Sequence, residues 1–339
     1  MAGALVRTIR GLVLPFGLLA AGGAGAAEPL RVVATLPDLA SLAREVGGEE
    51  VEVTALARGG DDPHFVEAKP SFLRTLSRAD LFAYNGLDLE IGWLPPLVRN
   101  ARNGRILPGA SGDFDASRGI PALELPGQGL DRSRGDVHPY GNPHYLLDPV
   151  NGLRVARHLR DRLQQLAPER AAGFGARAAD FEGRLVAALV GREAADRFGP
   201  AAVAQAALEE RLPELLAGAA PGGWLGALAP HRGAPVVADH NLWPYFARRF
   251  GLRVVGFLEP VPGITPTTRH LRELAEQMGR EKVRVILSAA YFHPRYAEKL
   301  ALASGAAVLA MANQVGAREG VDDYLTMLDR NVRELVGAL

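Results

Sequence analysis

Eight histidines and no cysteine delimit the chemistry open to this chain. Without thiols it forms no disulfide, no thiolate zinc site and no iron–sulfur cluster, so a bound metal must be held by nitrogen or oxygen. Three histidines stand where ligands gather in open α/β sheets, beyond the carboxyl ends of strands or at the head of a helix. His64 lies in the loop Asp61-Asp62-Pro63-His64-Phe65-Val66-Glu67, His144 lies in GNPHYLLDP, and His240 directly follows the strand candidate APVVAD. Imidazole is a neutral, borderline ligand that suits zinc, and three imidazoles with one oxygen make a tetrahedral site. Each histidine taken alone is equally compatible with a solvated loop residue, and no H-E-x-x-H or other compact pair joins them. Glu259 and Asn313 occupy comparable positions past the ends of later strands, and Glu67 and Asp61 are placed to orient His64 through its second ring nitrogen. His138 stands in a polar stretch just before His144, where it could help recruit a metal; His158, His231, His270 and His293 read as structural or solvated.

The elements that must carry these residues follow an alternating pattern of short apolar runs and helical periodicity, the signature of βαβα units with parallel sheets. Strand candidates in the first half are Leu30 to Leu36, Val51 to Ala57 and Ala79 to Gly86. Pro37-Asp38 opens a helix with Leu39, Leu42, Ala43 and Val46 at helical spacing, stopped by Gly47-Gly48. Residues 108–147, rich in Gly, Pro and Asp, look like a long irregular excursion. Asp148-Pro149 starts a helix with Leu153, Ala156, Leu159, Leu163 and Leu166 on one face. A second stripe, Phe174, Ala178, Phe181, Leu185 and Leu189, follows, and alanine-rich helix continues to about Ala219. Strand candidates then return at Ala234 to Asp239, Arg253 to Leu258, Val283 to Ala289 and Ala307 to Met311. The expected organisation is an N-terminal α/β lobe over 28–147, a connector helix with a helical insertion over 148–233, and a C-terminal α/β lobe over 234–339.

The 339 residues carry 38 basic against 38 acidic side chains, and 22% are charged, with no long block of one sign. That balance offers no electrostatic footprint for nucleic acid or an anionic membrane surface. Residues 1–27, with Arg7 and Arg10 ahead of an apolar stretch and Ala24-Gly25-Ala26 at its end, have the order of a secretory signal peptide. The expected location is a bacterial periplasm, reached through a cleavable signal and, for want of a cysteine, without a lipid anchor.

Four blocks, DDPHFVEAKPSFLRTLSRADLFAYNGLDLE, GNPHYLLDPVNGLRVARHL, VVADHNLWPYFARRFGLRVVGFLEPVPGITPT and DDYLTMLDRNVREL, resemble the zinc/manganese ABC-transporter solute-binding family across nearly the whole chain after residue 27. The resemblance implies two lobes, each a mostly parallel sheet flanked by helices, joined by a long rigid helix, with one buried transition-metal site in the cleft. It also implies delivery of the ion to a membrane permease, and it matches His64, His144 and His240 to the family's first, second and third ligand positions. Members that favour manganese often carry a carboxylate at the third position, so His240 tilts the cargo toward Zn2+, with Mn2+ as the alternative. The usual fourth ligand, an aspartate after the last strand, is replaced here by the run AMANQ, leaving Asn313, Glu259 or water. Residues from about Gly191 to Trp224 run longer than the usual connector region. The function so implied is metal capture by a monomer for an ABC importer. A manganese or iron component or metal-linked adhesin on the same fold is the alternative; a periplasmic zinc hydrolase is a more distant one, since the chain has neither a G-x-S-x-G elbow nor an H-E-x-x-H motif.

Overall fold

The chain builds two parallel sheets with the same strand order. A computed structural model describes residues 28–125, 138–260 and 264–339, together with Met1 and Gly3; the expected signal peptide therefore falls, but for those two residues, outside the described residues. The first sheet contains β1 (Leu30–Ala34), β2 (Val51–Ala55), β3 (Leu81–Tyr84) and β4 (Asp113–Asp115) in the order β2-β1-β3-β4. The second contains β5 (Pro235–Ala238), β6 (Arg253–Phe257), β7 (Val285–Ser288) and β8 (Ala307–Ala310) in the order β6-β5-β7-β8. Every neighbouring pair is parallel. Parallel strands need helical crossovers, and the first half supplies α1 (Pro37–Gly47), α2 (Pro70–Ser77) and α3 (Leu94–Asn100). Between the sheets run α4 (Pro149–Leu166), α5 (Ala171–Val190), α6 (Arg192–Phe198), α7 (Pro200–Leu208), α8 (Leu212–Leu216) and α9 (Gly223–Leu228). The second half adds α10 (Pro244–Phe250), α11 (Thr268–Glu281), α12 (Arg295–Ser304) and α13 (Tyr324–Ala338). This is the expected fold class: two lobes, each a four-stranded parallel sheet flanked by helices.

Local chemistry explains the element boundaries. Pro37 opens α1, its stripe of Leu39, Leu42, Ala43 and Val46 is wholly buried, and Gly48, at φ 57°, ends it in a backbone conformation that glycine adopts without strain. Asp148 caps α4 by accepting the Val150 N–H at 2.9 Å, and Pro149 takes the first helical position, where its missing N–H costs nothing. The buried faces of α4 and α5 pack against each other in an antiparallel pair, tied at their edges by Arg157 to Glu182 at 2.8 Å and by Gln164 to the Ala171 carbonyl at 2.8 Å. The alanine-rich stretch beyond α5 is not one continuing helix. Gly191 and Gly199, at φ 86° and 81°, break it into short pieces.

The supposed irregular excursion contains β4, three residues long, with Phe114 buried beneath the sheet. A strand of Asp-Phe-Asp at a sheet edge is too short for alternation to register against a background of turn residues.

The lobes close on each other through backbone groups. Gln314 Nε2 donates to the carbonyls of Gly59 at 3.1 Å and Asp61 at 2.7 Å, and the Val315 N–H donates to Asp38 Oδ1 at 2.7 Å. Tyr245 from α10 donates its hydroxyl to the Asn142 carbonyl at 2.9 Å and accepts the Leu123 N–H at 2.9 Å. Arg249 forks onto Asp148 with two bonds of 2.8 Å. Gly152 in α4 is a point of close approach, since a Cβ there would overlap the ring and hydroxyl of Tyr324, whose buried Oη donates to the Leu146 carbonyl at 2.6 Å. Alanine in a helix interior ordinarily gains about 1 kcal/mol over glycine. Here the overlap outweighs that gain, and Gly152→Ala is expected to lower stability by about 1–3 kcal/mol in urea unfolding; a variant as stable as the parent would show that α4 and α13 can part at no cost.

Candidate metal centre

Two of the three histidines are presented by the same local device. Asp62-Pro63-His64 and Asn142-Pro143-His144 are Asx turns in which the side-chain oxygen of the first residue accepts the histidine N–H, at 3.0 Å in both. The intervening proline carbonyls are held by buried donors: Pro63 by Trp93 Nε1 at 3.0 Å and Pro143 by Asn85 Nδ2 at 3.0 Å. The backbone ahead of each imidazole is thus fixed on both sides. His240 is placed by the sheet instead. The β5–β6 ladder runs on past the strand ends, with the Leu258 N–H on the Ala238 carbonyl at 2.8 Å and the Glu259 N–H on the Asp239 carbonyl at 3.0 Å. That register sets Glu259 beside His240.

The imidazoles converge. Ring centroids are 5.2 Å apart for His64 and His144, 6.1 Å for His64 and His240, and 6.3 Å for His144 and His240. His138 joins them, with its ring stacked on His64 at 5.2 Å and the two Nε2 atoms 3.3 Å apart. Among the described residues, His64, His138 and His144 each offer a ligand atom within 4.8 Å of the others.

Carboxylates set the tautomers of two rings. Asp62 Oδ1 accepts from His64 Nδ1 at 2.8 Å, and Glu259 Oε2 accepts from His240 Nδ1 at 2.9 Å. An ionised carboxylate only accepts, so each Nδ1 carries the proton and each Nε2 keeps its lone pair toward the cluster. His64 and His240 are buried, and the buried Nε2 of His144 has no hydrogen-bond partner among the described residues. Burial, reinforced by repulsion from His64, His138 and His240, pushes the His144 pKa well below its ordinary 6.5. A neutral imidazole with an unspent lone pair in a buried position is what a metal ion would engage, and the donor set fits one.

The residue orienting His64 is Asp62, not Asp61 or Glu67: Asp61 accepts the Arg58 N–H at 2.8 Å, and Glu67 is exposed. The signal was present in the sequence, because an Asp two residues before a His across a proline is an Asx-turn pattern, repeated at Asn142. Asn313 lines, with His144, a cavity of about 20 Å3, and its Oδ1 accepts the Ala290 N–H at 3.3 Å. Of the remaining histidines, His270 bonds the Phe257 carbonyl at 2.9 Å, His293 is exposed and accepts the Arg295 N–H at 3.2 Å, and His158 is half-buried on α4.

The model of the zinc-uptake complex component A periplasmic family matches residues 32–192 and 225–338. The chain belongs to that family. The match leaves out 193–224, close to the stretch from Gly191 to Trp224 that stands out as extended in the sequence. Curated relatives include a metal ABC transporter substrate-binding lipoprotein of Streptococcus parasanguinis, 32% identical over 45% of this chain and 48% of its own length. A manganese ABC transporter substrate-binding lipoprotein of Streptococcus pneumoniae is 31% identical over 45% of this chain and 48% of its own. The chain spans about half the length of these curated relatives. Among solved structures, that of ZnuA superposes with a TM-score of 0.68 over 92% of this chain and 99% of that one, at 21% identity. A manganese-bound mutant of a periplasmic metal binding protein from Candidatus Liberibacter asiaticus gives 0.65 over 91% and 99%, at 16% identity. At these identities the likeness is one of fold. The family is one of transport components and not of enzymes, which disposes of the hydrolase alternative. One expectation is overturned. The relatives are named lipoproteins, so the inference of a protein without a lipid anchor is withdrawn; a lack of cysteine addresses only attachment through a thioether.

Proposed function

We propose that this chain captures a single divalent transition-metal ion, zinc in preference to manganese, for hand-over to the membrane permease of an ABC importer, with His64, His144 and His240 as ligands. The observation that carries this is the buried convergence of imidazoles from both lobes around the partnerless Nε2 of His144. Family membership supports the transport role. Charge supports a dication: the carboxylates of Asp62 and Glu259 behind His64 and His240 supply two compensating negative charges. The chemistry is retention without reaction, since ligands from two lobes hold the ion while the closed cleft keeps water out. We propose also that the chain acts as a monomer of two lobes, 28–147 and 234–339, bridged by the helical segment 148–233, with no nucleic-acid partner.

The manganese alternative draws on the printed name of the Streptococcus pneumoniae relative. An all-nitrogen donor set weighs against it, because manganese is suited by carboxylate, carbonyl and water oxygens, and imidazole suits zinc. Titrating the chelator-stripped protein with zinc against a chromophoric competitor, and with manganese in parallel, tests the assignment. One tight site with zinc preferred by at least tenfold, about 1.4 kcal/mol, is expected; equal or stronger manganese binding would reassign the cargo, and no tight site would remove the function.

A further inference from the structure

We propose that His138 supplies the fourth nitrogen of the site, completing a set of four imidazoles, three of them on the first half of the chain. This rests on the metal-binding reading of His64, His144 and His240 given above. Its carrying observation is a distance: His138 Nε2 and His64 Nε2 are 3.3 Å apart. Two nitrogens bound to one tetrahedral zinc, each at about 2.0–2.1 Å, stand about 3.3–3.4 Å from each other. The pair is therefore already spaced as one edge of that tetrahedron. Asp62 holds the proton of His64 on Nδ1, so the His64 lone pair faces His138. With the His64 Nε2 unprotonated, the contact requires a proton on His138 Nε2; on loading, that proton must reside on the other His138 ring nitrogen, freeing Nε2 for the ion.

Of the oxygen donors the sequence offered as a fourth ligand, Glu259 and Asn313 each have an oxygen engaged elsewhere. Glu259 Oε2 accepts from His240 Nδ1 and so acts on the site through that ring. Asn313 Oδ1 accepts the Ala290 N–H. His138, by contrast, shares with His64 and His144 a set of ligand atoms all within 4.8 Å of one another.

Cobalt(II) reports coordination number directly, because tetrahedral cobalt absorbs strongly in the visible and five- or six-coordinate cobalt weakly. The chelator-stripped full chain, its His138→Ala variant and a His293→Ala control would be titrated with zinc and with cobalt, with circular dichroism to confirm folding. The expected result for His138→Ala is a fall of roughly tenfold in zinc affinity together with a marked loss of visible cobalt absorption, while His293→Ala matches the parent in both. An unchanged zinc affinity overturns the proposal, and so does a lowered affinity with the parent's cobalt spectrum, which would make His138 a packing contact. If His64→Ala and His144→Ala also bind zinc like the parent, the site as a whole is misplaced, a result distinct from the failure of His138 alone.

Discussion

Replacement of His144 by alanine is expected to weaken zinc binding by about 100-fold, or about 2.7 kcal/mol. His144 is the ring whose Nε2 is buried with no hydrogen-bond partner among the described residues. Its burial makes it neutral well below pH 6.5, so no proton competes for the lone pair at physiological pH. His64→Ala and His240→Ala are expected to cost at least tenfold each, and each would also leave a partly buried carboxylate neighbour, Asp62 or Glu259, without its imidazole. The same loss has a second readout. An ion that binds only the folded form raises stability by RT ln(1 + [L]/Kd), so the zinc-induced rise in melting temperature should shrink in all three variants. His293→Ala, on an exposed loop, is the reference. A ligand variant that titrates like His293→Ala would strike that residue from the site.

The second large effect concerns Asp38 in the first turn of α1. Burial raises its carboxyl pKa from 3.8 to about 7, and the bond from the Val315 N–H only partly opposes this. The folded protein thus keeps a proton on Asp38 over a range in which the unfolded chain has lost it. The contribution of this group is fully present below about pH 3.8 and disappears as pH rises through about 7. Asparagine keeps an oxygen for the Val315 N–H and cannot ionise. Asp38→Asn in the metal-stripped protein should therefore gain on the parent as pH rises from 4 to 8, approaching a difference of about 4 kcal/mol as an upper bound. Asp239 and Glu90, both raised to about 6 by burial, slope the same way in parent and variant and cancel from the difference. Urea unfolding across that pH range reads it. Parallel curves for the two proteins would mean that Asp38 is ionised in the fold, with its burial offset by contacts beyond the Val315 bond.

What the sequence determined by itself was local and periodic. Alternation of short apolar runs with helical stripes identified seven of the eight strands and the α4–α5 stripes, because parallel strands buried on both faces read as continuous apolar runs. Proline and glycine punctuation located both ends of α1 and the start of α4 within a residue. His64 and His240 were legible as residues past strand ends and His144 as one ahead of a helix, and the absence of cysteine restricted any metal site to nitrogen and oxygen. The edge strand β4 escaped because three residues cannot show a period.

Tertiary structure decided which side chains meet. His64 and His138 are far apart in the chain yet stand nitrogen to nitrogen at 3.3 Å, and only the folding of the first half brings the segment ahead of α4 over the loop after β2. Likewise Glu259 faces His240 because a parallel ladder carries the ends of β5 and β6 forward in register. Periodicity fixes the face on which a side chain lies. It carries no information about the partner across a cleft, since that distance is set by how the two lobes close on backbone groups such as those bound by Gln314 and Asp38.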